Sequence, residues 1–369
     1  MSVVNASIVW KMLLYPFMIL YGVGVAVRNW MFDVGILPSE KFDTPIISVG
    51  NITVGGTGKT PFTEYMVRLL RQSNKVGVLS RGYKRKTSGF VLSTEKSTSA
   101  EIGDEPCQMK RKFPDLVLAV DANRRRGIRK MLAEPNRPEV IILDDAYQHR
   151  YVKPDISVLL IDYNRLITED SLMPVGQLRE PLKSKNRANI VVVNKCPSAI
   201  KPIEFRIIRK KLKLFPYQTL FFTSISYDRF KPVFPKYASD KMQKDIVSRD
   251  NYGVLCVSGI ASPLPFEHYV SSFSKSVRSL TFGDHHNFGK DDISKIEKTF
   301  AAFPSRHKII LTTEKDAVRL RDNLKMPDSL KKVMYYIPLT IDFMLEEGPA
   351  FDKQIIDYVD KNRQYMRLS

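Results

Sequence analysis

The chain has 369 residues, 43% of them hydrophobic and 26% charged, which is typical of a folded globular protein and excludes an intrinsically disordered one. Its length allows a substantial buried core and suggests two domains. The formal net charge of +19 favours acidic partners: nucleic acid, an anionic membrane surface or a phosphorylated substrate. The three cysteines, Cys107, Cys196 and Cys256, are isolated in the sequence, so neither a disulfide framework nor a zinc site is expected.

The first predicted element is an apolar N-terminal segment, Ile8–Val27, with no small-residue cleavage site of the kind that ends a signal peptide. Its length could just span a bilayer, but Lys11 and Pro16 interrupt it. Aromatic residues typical of the lipid headgroup level recur along it: Trp10, Tyr15, Tyr21 and Trp30. We expect residues 1–35 to form a helix lying in the membrane interface, with a true span as the second reading and a buried core helix as the third.

Short apolar runs separated by helix-length segments follow, and this alternation is typical of a parallel sheet covered on both faces. The predicted strands of the first part are Pro45–Val49, Lys75–Ser80, Leu116–Val120, Val140–Leu143, Ile156–Ile161 and Ile190–Val193. Beyond a lysine-rich stretch the predicted strands are Gly253–Ser258, Ser279–Phe282, Lys308–Thr312 and Val333–Ile337. The predicted fold is α/β, with a P-loop-type parallel core at residues 36–226, a linker at 227–250 and a smaller α/β domain at 251–369.

The strongest motif is a glycine-rich turn that follows the first predicted strand and leads into a helical run, Pro61–Arg71. This order aims backbone N–H groups and the positive end of a helix at phosphate oxygens. The predicted nucleotide-binding residues are Thr53, Val54, Gly55, Gly56, Thr57, Gly58, Lys59 and Thr60. Lys59 would reach the β- and γ-phosphates, and the hydroxyl of Thr60 would coordinate Mg²⁺. The usual pattern opens with glycine, where this chain has Thr53.

A second motif supports a nucleotide site, because the predicted strand Val140–Leu143 ends in Asp144 and Asp145. The carboxyl edge of a buried parallel strand is where the phosphate-side metal lies in such sheets. We therefore predict Asp144 as the metal-side carboxylate, with Asp145 beside it. Guanine recognition would need an acid two residues after Lys195, where this chain has Pro197, so ATP is the predicted nucleotide.

Transfer of a phosphoryl group to an alcohol also benefits from a base aimed at the acceptor hydroxyl. Several charged loops follow predicted strands or precede helices, and their residue types alone do not rank them. The candidates are Gly103–Pro106, Asp284–His286, Ser80–Lys86 and Arg124–Arg126.

Taken together, these segments resemble the tetraacyldisaccharide 4'-kinase family of the lipid A pathway. The matching runs, collinear from Pro45 to about Leu320, are ISVGNITVGGTGKTP, LSRGYKRK, GDEP, ILDDAYQHR, LMPVGQLREPL, FGDHHNF and LTTEKDAVRL. In that family threonine opens the P-loop, as Thr53 does here. The family commonly has Gly-Phe where this chain has Ala146-Tyr147, a departure that concerns the fine geometry of the site.

The resemblance implies transfer of the γ-phosphate of ATP to the 4'-hydroxyl of an acylated glucosamine disaccharide 1-phosphate, which yields lipid IVA. It also implies a peripheral enzyme at the cytoplasmic face of the bacterial inner membrane, in contact with anionic lipid. No nucleic-acid partner is expected, since no nucleic-acid motif is visible. No obligate protein partner is expected either. The alternative is a membrane-associated regulatory ATPase, whose signature lysine is replaced here by Val54.

Matched motif by motif, the resemblance places the catalytic base on Asp104, with His285 as its partner. The family's second phosphate-site acid pair falls on Asp144 and Asp145, and the expected catalytic set also includes Asp145 and the P-loop lysine Lys59. Residues in motifs expected to line the substrate site are Arg81, Tyr83, Gln148, His149, Arg179 and Glu180. Because Asp104 and His285 belong to different predicted domains, their pairing requires the cleft between the domains to close.

Overall fold

The structure, a computed structural model, describes the backbone of residues 2–322 and 326–368 and the side chains of residues 12–322 and 326–362. Within these residues the strands form a nine-stranded and a five-stranded sheet, which we call the first and the second lobe. The first sheet contains β1 Ile46–Gly50, β2 Val76–Ser80, β3 Val91–Leu92, β4 Val117–Val120, β5 Val140–Asp144, β6 Ile156–Asp162, β7 Ile190–Asn194, β8 Thr219–Tyr227 and β14 Leu339–Phe343. The second contains β9 Lys231–Pro232, β10 Gly253–Ser258, β11 Ser276–Thr281, β12 Lys308–Thr313 and β13 Met334–Ile337.

Twelve α-helices are described around these sheets. They are α1 Ser2–Asp33, α2 Lys59–Leu70, α3 Ser99–Ile102, α4 Asp104–Lys112, α5 Arg124–Ala133, α6 Pro202–Leu212, α7 Lys244–Arg249, α8 Leu264–Ser271, α9 Lys290–Ala301, α10 Glu314–Arg321, α11 Asp328–Lys331 and α12 Gly348–Leu368. A 3₁₀ turn covers Leu182–Arg187.

The strands of the first sheet lie in the order β14-β8-β7-β6-β1-β5-β2-β4-β3. The seven central strands run parallel, and the two edge strands pair antiparallel. Every residue of β1, β2, β5 and β7 is buried, because helices cover both faces of the sheet. The predicted α/β fold with a parallel core is therefore confirmed. Since β1 lies between β6 and β5, its carboxyl end opens onto the crevice where such sheets bind ligands.

Each of the ten predicted strands overlaps an observed one, but four observed strands were not predicted. Two of these, β3 and β9, have only two residues each and carry too little pattern to be recognised. The third, β8 Thr219–Tyr227, lies at the end of the predicted core 36–226 and was not among its predicted strands. The fourth, β14, lies in the predicted C-terminal domain 251–369, where no strand was predicted after Ile337.

The residues that form the two lobes differ from the predicted domain boundaries in two places. The predicted linker 227–250 contains β9, which pairs with β13, and its residues Phe230 and Val247 are buried in the second lobe. The last residues return to the first lobe, because β14 pairs with β8 and α12 packs Phe351 against the core of the first sheet. Its lysines and two prolines are typical of an exposed linker, whereas buried side chains such as Phe230 and Val247 hold this stretch in place. The division into separately folding domains stays a prediction.

The N-terminal helix α1 packs on the first lobe mainly near its C-terminal end. Asn29 and Phe32 are buried there, and Arg150 donates to the carbonyl oxygen of Asn29 at 2.9 Å. Farther towards the N-terminus its apolar side chains are exposed, Leu20 by 70%, which rules out a buried core helix. By length and composition, Met12–Asp33 could cross a membrane, as no other helix among the described residues could. The side chains of Trp10 and Lys11 lie outside the described residues.

Candidate active site

The glycine-rich turn between β1 and α2 has the backbone of a phosphate-binding loop. Gly55 and Gly58 adopt φ angles of 102° and 84°, a region that residues with a side chain rarely adopt. Because α2 begins at Lys59, the unpaired N–H groups of its first turn and the positive end of its dipole face this loop. The predicted strand, turn and helix are thus all present, in an arrangement that can bind phosphate.

The side chain of Lys59 lies at the carboxyl edge of the first sheet, between two polar groups. Its Nζ is 3.4 Å from Oδ1 of Asn51 and 3.4 Å from Oδ1 of Asp145. Asp145 has a φ of 46°, which is uncommon for a residue other than glycine and is often found at functional sites. This backbone conformation brings its carboxylate to the P-loop lysine.

Two residues at the end of β7 hold the P-loop in position. Asn194 donates from Nδ2 to the carbonyl oxygen of Thr57 at 2.9 Å, and Lys195 donates from Nζ to that of Gly56. A β-carbon on Gly58 would lie only 2.3 Å from Nδ2 of Asn194, so this position needs glycine for space as well as for φ. The residues around Lys195 indicated only the absence of a guanine-recognition motif, and no sequence pattern pointed to this contact with the loop.

Asp144 is buried beside the P-loop helix, at the end of β5. Its carboxylate accepts hydrogen bonds from the hydroxyls of Thr63 at 3.1 Å and Ser80 at 3.2 Å. Burial, with the neighbouring carboxylates of Glu105 and Asp145, raises the pKa of Asp144 to about 6. A bound cation would relieve this crowding of negative charge.

The groups around Asp144 fit a nucleotide-bound Mg²⁺, which prefers oxygen ligands and keeps phosphate oxygens and waters in its coordination sphere. Oδ1 of Asp145 is buried and accepts no hydrogen bond among the described residues, apart from its ion pair with Lys59 at 3.4 Å. Thr60 is buried in the first turn of α2, and its hydroxyl contacts Glu105. No group of three or more His, Cys, Asp or Glu side chains that could by itself hold a metal ion occurs in the described part of the chain.

The structure brings Asp104 and His285 together across the two lobes. Asp104 is the first residue of α4, and its Oδ2 lies 3.1 Å from Nδ1 of His285, which follows β11. Arg319 on α10 also contacts this oxygen, from Nη2 at 2.6 Å and from Nε at 3.0 Å. Burial alone would raise the pKa of Asp104, but the hydrogen bonds and charge of Arg319 and the contact with His285 outweigh it and lower that pKa.

The next residue, Glu105, connects this pair to the P-loop. Its carboxylate lies 2.6 Å from Nζ of Lys315, and it also contacts the hydroxyl of Thr60. Burial alone would raise the pKa of Glu105, but the charges of Lys315 and Lys59 outweigh it and lower the pKa. Glu105, the residue after the predicted base Asp104, therefore contacts the predicted phosphate site.

Four of the six predicted substrate residues lie around this carboxyl edge. The ring of Tyr83 is exposed and meets that of His285 edge-on at 5.9 Å. Gln148 donates from Nε2 to the carbonyl oxygen of Asn51, and Nη1 of Arg179 is 3.9 Å from Oδ2 of Asp145. Arg81 is exposed and close enough to His149 to affect its pKa.

The other two predicted substrate residues are less accessible. Burial, reinforced by four arginines, lowers the pKa of His149 to about 4, so this imidazole is neutral near pH 7. Glu180 is 1% exposed, and its carboxylate pairs with Arg187 at 2.5 Å. In this arrangement the side chain of Glu180 does not face solvent.

Two arginines at this site, Arg124 and Arg319, are buried. Arg124 donates to the carbonyl oxygens of Asp121 at 2.6 Å and Asp144 at 3.1 Å. Arg124 appeared only as part of a basic cluster, and Arg319 lay within a matching run without a role. Burial distinguishes these two arginines from the others, because most arginines are exposed. Their burial is known only from the folded structure.

Comparison with known proteins identifies relatives over nearly the whole chain. The family model described as tetraacyldisaccharide-1-P 4'-kinase matches residues 10–360. A tetraacyldisaccharide 4'-kinase of Parabacteroides distasonis is 50% identical over 366 residues, covering 98% of this chain and 99% of the relative. One of Bacteroides thetaiotaomicron is 48% identical over 362 residues, covering 96% of this chain and 95% of the relative.

A solved structure agrees with these sequence relationships. It is an LpxK from Aquifex aeolicus in complex with ATP, with a TM-score of 0.72 and 28% sequence identity. The alignment covers 95% of this chain and 99% of that one. Since the family model and the relatives extend over both lobes and the P-loop, the chain belongs to the tetraacyldisaccharide-1-P 4'-kinase family.

Proposed function

We propose that this protein transfers the γ-phosphate of ATP to the 4'-hydroxyl of a tetraacyldisaccharide 1-phosphate and so forms lipid IVA in lipid A biosynthesis. Family membership supports this reaction, and so does the ATP bound to the related Aquifex aeolicus protein. The observation that carries the proposal is the meeting of a P-loop lysine, Lys59, with Asp145, which follows β5, and with Glu105 of α4 at one edge of the sheet.

The chemistry assigns separate tasks to these residues. The P-loop backbone binds the phosphates, and Lys59 neutralises charge that develops on the transferring group. A Mg²⁺ ion, held by the hydroxyl of Thr60 and the carboxylate of Asp144, would screen the phosphate oxygens when ATP is bound. Asp145, 3.4 Å from Lys59, keeps that lysine oriented.

We assign the base to Asp104. The 4'-oxygen forms a bond to the γ-phosphorus while the bond from that phosphorus to the β,γ-bridging oxygen breaks, and ADP leaves. The hydroxyl proton passes to the carboxylate of Asp104, which His285 orients at 3.1 Å. Because His285 comes from the second lobe, this site is complete only when the lobes are in contact, which also excludes water.

The membrane assignment rests on α1. Its exposed apolar side chains, Leu13, Phe17 and Leu20 among them, suit the headgroup and acyl boundary of a bilayer. Tyr21 donates to the carbonyl oxygen of Arg179 at 2.8 Å, so this helix lies next to the active-site edge. We propose peripheral attachment at the cytoplasmic face of the inner membrane, where an acylated acceptor is accessible.

Transfer of radiolabelled phosphate from ATP to purified disaccharide 1-phosphate, followed by thin-layer chromatography, tests the reaction. We expect a labelled lipid product that requires wild-type Lys59 and depends on Mg²⁺. The alternative, a membrane-associated regulatory ATPase, predicts ATP turnover without the acceptor and no labelled lipid.

A further inference from the structure

Arg319, on α10 of the second lobe, contacts both members of the Asp104–His285 pair. Its Nε and Nη2 donate to Oδ2 of Asp104 at 3.0 and 2.6 Å. The same Nη2 lies 3.0 Å from Nδ1 of His285. Two N–H groups of one rigid guanidinium thus converge on a single carboxylate oxygen, an interaction that fixes orientation as well as charge.

The second lobe itself holds Arg319 in place. The residue is 7% exposed, and its Nη1 donates to Oδ1 of Asp316 at 3.0 Å. Asp316 is fully buried and accepts hydrogen bonds from the hydroxyl of Thr313 at 2.7 Å and from the N–H of Gly259 at 2.9 Å. Arg319 is therefore oriented before it meets Asp104, because its other end belongs to a network within its own lobe.

The two carboxylate oxygens of Asp104 have different hydrogen-bond partners. Arg319 and His285 both contact Oδ2, and among the described residues no hydrogen bond is made to Oδ1. A carboxylate with one oxygen held can present the other in a fixed direction. A base must lie within hydrogen-bond reach of the proton that it accepts, so this orientation matters to the reaction.

We propose that Arg319 is a positioning residue that holds Oδ2 of Asp104 and thereby presents Oδ1 to the acceptor hydroxyl. This rests on the proposed function of Asp104 as the base. Arg319 itself acts as a hydrogen-bond donor and is not the base. Because it comes from the second lobe, it also links the orientation of the base to contact between the lobes.

The test compares Arg319→Gln with Arg321→Gln, a matched change on the same helix. Arg321 donates to the carbonyl oxygen of Val233 at 2.7 Å and makes no hydrogen bond to Asp104 or His285. We expect Arg319→Gln to lower kcat by about 10- to 100-fold, the usual cost of a misplaced catalytic group, while the KM for ATP changes by less than about twofold. Arg321→Gln should retain kcat.

The decisive measurement repeats Arg319→Gln in the Asp104→Asn background. If Arg319 acts through Asp104, its loss there should cost less than about threefold, because residues that act as a unit are not additive. An equal loss in both backgrounds would mean that Arg319 is only structural and would overturn the proposal, as would normal kcat in Arg319→Gln.

The pH profile gives a second readout. Asp104 faces two groups that carry or can carry positive charge, Arg319 and His285, and Arg319 helps to lower the pKa of Asp104. The acid limb of kcat should therefore move to higher pH in Arg319→Gln, whereas an unchanged profile would contradict the proposal. Where the glutamine variant does not fold, Arg319→Lys keeps a charge opposite Asp316 and should still lose about tenfold in kcat, because an ammonium acts as a point charge.

The outcomes separate this inference from the proposed function. Loss of activity in Asp104→Asn with normal activity in Arg319→Gln would refute the inference alone. Normal activity in Asp104→Asn would refute the assignment of the base. Absence of any lipid product with the wild-type protein would refute the proposed reaction.

Discussion

The carboxylate of Glu105 and the ammonium group of Lys315 lie 2.6 Å apart and belong to different lobes. Behind them, Lys112 of α4 contacts Glu314 of α10 at 2.9 Å and Glu64 of α2 at 2.5 Å. The P-loop helix, α4 and the second lobe thus meet in a row of charged side chains. Since Glu64 is 1% exposed, this row includes a carboxyl group that is costly to ionise.

The first prediction follows from Glu64. Burial, reinforced by the charge of Glu314, raises the pKa of Glu64 to about 7. A carboxyl group with a raised folded-state pKa contributes stability below its unfolded-state pKa, and this is lost as pH rises through the folded-state value. Glu64→Gln should therefore gain in melting temperature relative to wild type as pH rises from about 5 to 8. The same change at exposed Glu297 is the control, and a constant difference at Glu64 across pH would contradict the assignment.

The second prediction concerns the P-loop lysine. Lys59→Ala removes the positive charge that stabilises the transferring phosphoryl group, so kcat/KM should fall by about 10³-fold or more. Steady-state kinetics with ATP and the lipid acceptor provide the measurement. Near-normal turnover would show that the nucleotide is bound elsewhere.

The third prediction uses the backbone of the P-loop. In Gly58→Ala the new methyl group meets Nδ2 of Asn194 at 2.3 Å, and the residue keeps a φ of 84°. We expect Asn194 to lose its hydrogen bond to Thr57 and ATP affinity to fall at least tenfold, about 1.4 kcal/mol. Gly35→Ala is the matched control, since Gly35 has a φ of 80° but open space around it. Titration calorimetry with ATP would distinguish them, and equal affinities would exclude the collision.

The fourth prediction concerns the pair formed by Asp104 and His285. Asp104→Asn should lower kcat by about 10²- to 10⁴-fold with little change in ATP affinity, which is the range for removing a general base. His285→Ala should be similarly impaired. The double variant should lose much less than the product of the two effects, whereas fully multiplicative losses would show independent roles.

The fifth prediction concerns attachment to the membrane. Burial of Leu13, Phe17, Leu20 and their neighbours contributes several kcal/mol at about 25 cal/mol per Å². Deletion of residues 2–27 should shift the protein from the vesicle pellet to the supernatant and raise the apparent KM for vesicle-borne substrate. The triple change of these three residues to serine tests the same surface without removing the helix. Extraction of the intact protein by high salt alone would favour electrostatic attachment instead.

Local sequence patterns were sufficient for the P-loop and for six of the nine strands of the first sheet. Strand, glycine turn and helix are adjacent in the chain, so Gly58 and Lys59 could be placed without knowledge of the rest of the fold. Buried parallel strands such as β7 are continuous apolar runs and are recognisable for the same reason.

Contacts between distant residues could not be predicted in this way. Arg319 and Asp104 are 215 residues apart, and nothing in either local sequence indicates that they touch. Asn194 lies 137 residues from Thr57, whose carbonyl it holds. The resemblance to a family suggested the pairing of Asp104 with His285. The contacts of Arg319 with both residues could be recognised only from the burial and geometry of the folded chain.

The pairing of β8 with β14 determines how the second lobe can move. The chain leaves the first sheet after Tyr227 and returns at Leu339, where these two residues are partners in the ladder. The N–H of Asp228 donates to the carbonyl oxygen of Pro338 at 2.9 Å, so the pairing continues to the crossing point. Such a two-stranded ribbon can bend and twist but cannot slide apart without breaking its ladder. The second lobe is therefore inserted at this one crossing point, and we expect any opening to swing His285 and Arg319 away from Asp104 together.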